Sequence, residues 1–146
     1  MKKFVFTLDK VLTFKEETLN VKKSELKKLM QRLEELDRRI DALNGQFEET
    51  RCEMSGRLVT GLTTVELAVY KVYLNELGRK TKELLETRQN LLGVIEQKKT
   101  AVIALKGEIS GLEHLKDRQS KEYLRLEQKE FERSIEEFLV RSRCAG

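Results

Sequence analysis

The sequence predicts an all-α fold, a two-stranded antiparallel α-helical coiled-coil hairpin with a short helix near its turn, on three observations. Of 146 residues 37% are charged and none is Pro, against a globular average of roughly 25% charged. Single Leu, Ile and Val residues recur alternately three and four apart, the spacing of a helical seam. Two Gly fall close together in Ser55-Gly56-Arg57-Leu58-Val59-Thr60-Gly61, the densest turn signal in the chain.

The first arm carries a positions at Val5, Leu12, Leu19, Leu26, Leu33, Ile40, Phe47 and Met54, all apolar, with d positions at Leu8, Lys15, Lys22, Leu29, Leu36, Leu43 and Thr50. Its seam is strongest between Leu26 and Phe47. Gly45 is one flaw within it, costing about 1 kcal/mol relative to Ala. Beyond the turn, Thr63 or Thr64 caps the next helix, with Glu66 in its first turn where an acid suits the helix dipole.

A second frame then runs through Leu67, Tyr70, Leu74, Leu77, Thr81, Leu84, Arg88, Leu91, Ile95, Lys98, Val102, Leu105, Ile109 and Leu112, continuing as Lys116, Gln119, Tyr123 and Leu126. After Leu126 it slips, because Phe131, Ile135 and Phe138 lie on a different stripe from Glu130 and Arg133. The return segment is longer than the first arm. Either a short helix from Leu67 to about Gly78 folds at the tip, or the last arm overhangs the first; Gly78 and Gly93 mark candidate bends, and the expectation is the tip helix. The whole is one elongated domain over 1–146, with arm one at about 8–54, the turn at about 55–62, and tip helix and return arm at about 63–141.

Composition narrows the function by exclusion. The net charge of +4 is spread evenly, with 14 basic and 12 acidic residues up to Tyr73, so no concentrated field awaits a nucleic acid. No stretch reaches the roughly 20 apolar residues of a membrane span, and MKKFVFTLDK is too short in apolar residues for a secretory leader; a cytoplasmic protein is expected. Cys52 and Cys144 are far apart and read as reduced thiols. With His114 as the one histidine there is no metal set. Phosphate-cradling and metalloprotease motifs are absent, and two paired helices enclose no pocket. Neither catalysis nor a cofactor is expected.

Three patterns carry a resemblance: Phe4-x-Phe6-x-Leu8-x-x-Val11-Leu12; Tyr70-x-x-Tyr73-Leu74-x-x-Leu77 after the turn; and, late in the return arm, Leu115, Asp117-Arg118-Gln119, Tyr123, Glu127-Gln128-Lys129 and Glu137-Phe138. In this order and spacing, over nearly the full length, the chain resembles the FliJ family of flagellar type III export stalk proteins. Between Lys15 and Glu53 it shows generic heptads only.

The resemblance implies an antiparallel coiled coil similar to the stalk of rotary ATPases, serving flagellum biogenesis and hence motility and chemotaxis. Its implied partners are the hexameric export ATPase at the end bearing the termini, the cytoplasmic domain of the export gate, and export chaperones. The implied location is cytoplasmic, peripheral to the inner membrane at the flagellar base, with membrane association only through partners and no nucleic acid.

Candidate partner-binding residues are Phe4, Phe6, Phe131, Arg133 and Phe138 toward the termini, and Tyr70, Tyr73 and Leu77 near the turn. Tyr70 and Leu77 sit on d positions and suit core packing, whereas Tyr73 on g suits a contact. Phe4, Phe6, Phe131 and Phe138 suit packing at the end of the coil better than direct contact with a ring. A prefoldin-like holding chaperone is the alternative reading, although Ser55 to Thr64 is too short for the β-hairpins such proteins insert. An injectisome stalk of the same superfamily answers to the same patterns.

Overall fold

The computed structural model describes residues 2–145, and two helices account for nearly all of them: α1 (Asp9–Thr60) and α2 (Thr64–Ala145). No strand occurs among the described residues, and the fold is an all-α helical hairpin. The chain divides into two compact units, one of residues up to Val21 with those from Val102 onward, the other Lys22–Ala101.

The turn lies within the second unit. Ser55 to Thr60 stay helical, so α1 runs past the expected arm end, and the reversal takes only Gly61, Leu62 and Thr63. Gly61 adopts φ of 116°, a left-handed conformation that side-chain-bearing residues enter at a cost, as the residue closing a helix often must. Gly56, where a Cβ would meet nothing within 4 Å, is simply accommodated in the helix. Thr63 caps α2: its hydroxyl accepts from the Glu66 backbone N–H at 3.2 Å, and Glu66 pairs with Arg57 at 2.8 Å.

The expected short tip helix from Leu67 to Gly78 does not form, because α2 is unbroken from Thr64 onward. A lone Gly costs a helix about 1 kcal/mol, and with Leu74 and Leu77 buried just before it and Thr81 and Leu84 half-buried just after it, nothing at Gly78 forces a break. Every frame position from Leu67 to Lys116 is buried or half-buried. In this unit the most covered residues are Leu36, Ile40, Leu74, Leu77 and Ile95.

Basic residues interrupt both apolar seams, and an acid beside the opposite seam meets each of four of them. Arg88 donates to Asp37 at 2.7 Å and Lys98 to Glu25 at 3.2 Å in the second unit; Lys15 donates to Glu108 at 2.7 Å and Lys116 to Asp9 at 3.0 Å in the first. In every one of these pairs the two residue numbers add to 123 or 125. All are partly exposed, so each contributes below about 1 kcal/mol.

In the first unit the segment before Asp9 is not helical, which removes Val5 from its expected a position and leaves it 74% exposed. Phe6 takes the core place instead, 4% exposed in a cluster with Leu12 and Ile109. Lys116 lies over its ring at 6.0 Å. Phe4 packs on Tyr123 with ring centroids 5.6 Å apart, and the Tyr123 hydroxyl donates to the Lys2 carbonyl. These contacts bind residues 2–8 across α2 as a strap. Among the described residues none faces α2 beyond about Tyr123, and Leu124 to Ala145 are exposed; this length of α2 overhangs.

Replacing Phe6 with Ala should lower stability by about 3 kcal/mol, read by thermal or urea unfolding, with Val59→Ala unchanged within error. Gly78→Ala should raise stability by about 0.5 to 1 kcal/mol, whereas Gly61→Ala should lower it by about 1 to 2 kcal/mol; equal effects at the two sites would contradict the turn described here. Burial first, then Glu127, pushes the Tyr123 phenol above its usual value of 10. A raised acid pKa favours the neutral donor, so strap stability is full below pH 10 and declines as pH rises through the higher folded value. Tyr123→Phe should abolish that alkaline loss, monitored by amide exchange of residues 2–8.

Candidate partner-binding surfaces

In the second unit, Tyr70 and Leu77 face inward and Tyr73 faces out. Leu77 is 3% exposed and belongs to the packing. Tyr70 is half-buried, donates to Glu53 at 3.1 Å, accepts from Arg57 at 3.2 Å, and lies under the guanidinium with 5.7 Å from its carbon to the ring centroid. The Tyr70 hydroxyl first, then the Glu66 charge, holds the Arg57 guanidinium above its ordinary pKa. Arg57, at the C-terminal end of α1 where a cation suits the dipole, thereby fastens the turn to both helices.

Tyr73 is 47% exposed and shares an open apolar groove on α2 with Val65, Ala68, Val69 and Val72. No polar side chain other than Glu76 lines it. Leu58 and Val59, in the last turn of α1, are exposed as well. Beyond Tyr73 these apolar residues were not among the sequence-derived candidates. Their signal was legible in hindsight: Val65 and Val72 take the f position of the second frame and Val69 the c position, places that a solvated helix gives to polar residues.

In the first unit, Phe4 and Phe6 are engaged in the strap and its core, whereas Phe131 and Phe138 are 65% and 70% exposed. At 100° per residue, Phe131, Ile135 and Phe138 align with Leu124 on one stripe of α2, turned about a quarter of the circumference from the seam. Arg133 falls on the far side of the helix from that stripe. Helix α1 adds a second bare stripe of Val11, Phe14 and Val21; Phe14 and Val21, on c positions, also escaped the sequence-derived set.

These surfaces are apolar, shallow and open, the character of protein contacts rather than of small-molecule sites. No group of metal-ligating side chains occurs among the described residues, and none of the described helices is long and apolar enough to cross a membrane. Both cysteines are free and exposed.

No curated protein and no solved structure matches the chain. The family model described as "Flagellar FliJ protein" matches residues 4–142, which takes in both helices, the turn and most of the strap. That match covers far more than half of the chain, and with its hairpin of two helices the chain is a member of the FliJ family of flagellar export components.

Proposed function

We propose that the chain is a non-catalytic coupling component of flagellar type III export, which binds the hexameric export ATPase through its first unit and the cytoplasmic domain of the export gate through the Tyr73 groove of its second. The observation that most supports this reading is the exposure of Phe131 and Phe138 on a length of α2 with no partner helix. Large apolar side chains that face water on a helix of a soluble hairpin cost solubility unless a partner covers them, and aromatic anchors carry much of the energy of protein contacts. Arg133, Arg141 and Arg143 offer charge to acidic loops of a ring. Contacts with export chaperones, and a peripheral position at the inner membrane reached through these partners, belong to the same proposal.

A pull-down and ATPase assay with the cognate hexamer at low salt should show association and stimulation; no association under those conditions would remove the ring from the proposal. Tyr73→Ala should leave the melting temperature within about 1 °C and weaken gate binding by about tenfold, the loss of one well-packed anchor. A lower melting temperature with unchanged gate binding would instead return Tyr73 to the packing.

A further inference from the structure

We propose that the overhanging segment of α2, Leu124 to Ser142, pairs antiparallel with the same segment of a second copy of this chain, forming a two-fold symmetric dimer. The proposal does not rest on the export reading, and it covers the same Phe131 and Phe138: the dimer is a state of the chain apart from the ring, and the two contacts exclude each other. Its basis is the pattern of that segment once freed of the hairpin register. Counted from Leu124, residues 124, 131 and 138 take d positions as Leu, Phe and Phe, while 128, 135 and 142 take a positions as Gln, Ile and Ser. This is a complete three-four alternation, offset from the seam that holds α1, and all six residues are exposed.

The flanking charges choose the direction. In a parallel pair, position g of one helix faces the following e of the other, which would set Glu127 against Glu132 on both sides. In an antiparallel pair that stacks Phe131 on Ile135 of the second copy, g meets g, and Glu127 faces Arg141 twice by symmetry. Ser134 then faces itself, and the one unfavourable meeting is Glu132 with its own copy at the solvated edge. A two-fold interface is self-complementary in this sense, each residue and its partner exchanging places.

The area is sufficient for a weak complex. Leu124, Phe131, Ile135, Phe138 and Leu139 are each between 44% and 70% exposed, together about 500 Å² of apolar surface per copy on the usual scale of such side chains. Two copies bury at most about 1,000 Å², the lower edge of specific interfaces, so the dimer is a weak, reversible one.

Sedimentation equilibrium of the full chain from about 1 to 200 µM, the range of weak association, should move from monomer to dimer mass. Phe131→Asp should leave a monomer throughout; its helicity and melting curve should be those of the parent, because Phe131 packs on no second helix. Glu127→Arg and Arg141→Glu should each raise the dissociation constant by about tenfold, and the double exchange should restore it. A monomer at every concentration would overturn the proposal and leave the stripe to another partner, whereas dimerisation without rescue by the double exchange would overturn the antiparallel register.

Discussion

Ionised residues set into an apolar seam fix this structure. An uninterrupted stripe of leucines would let one helix slide past the other by a heptad with little penalty. Here Lys15, Arg88, Lys98 and Lys116 stand where apolar residues would pack, and each reaches an acid on the opposing helix. A heptad slip would leave at least three of the four facing no acid at once. Each pair stabilises little alone, but together they discriminate between registers that the leucines treat as nearly equal, which is a matter of specificity more than stability.

Register then determines what is left over. Because the turn is only Gly61 to Thr63 and the paired residue numbers add to 123 or 125, Tyr123 meets Lys2, and Leu124 to Ala145 are helix with no counterpart among the described residues. Apolar residues there cannot serve the seam, and the slip of their pattern after Leu126 turns them to another side. The same logic applies around the turn, where Arg57 ties Tyr70 and Glu66 together and so leaves Val65, Val69, Val72 and Tyr73 as a face of α2 with no claim on it from within.

Periodicity made both helices and nearly every seam residue legible, since burial in a two-helix packing depends on little besides spacing. The Thr63 cap and Glu66 were likewise readable, being local chemistry. Gly56 and Gly61 were not separable in advance: two glycines three to five residues apart look like one turn, and only the backbone conformation at Gly61 tells which one reverses the chain. Gly78 misled in the same manner, because composition marks where a helix is weak, not whether its neighbours' packing outweighs that weakness. Phe6 replaced Val5 because residues 2–8 leave the helical path, which a heptad count carried straight through them could not register. The exposure of Tyr73 followed from its g position, whereas Phe14 and Val69 stand on c positions, outside the seam, where a heptad pattern by itself assigns an apolar residue no role.

The strap carries a consequence for how the chain is made. Its hydrogen bond from Tyr123 to Lys2 spans a sequence separation of 121 residues, whereas closure at the turn is local and entropically cheap. Contacts near Gly61 therefore close over short loops, whereas residues 2–8 cannot dock before a partner made about 120 residues later. Until Ile109 and Tyr123 have been made, Phe4 and Phe6 lack the α2 side chains that cover them, so the nascent chain carries an adhesive apolar segment that the folded hairpin hides.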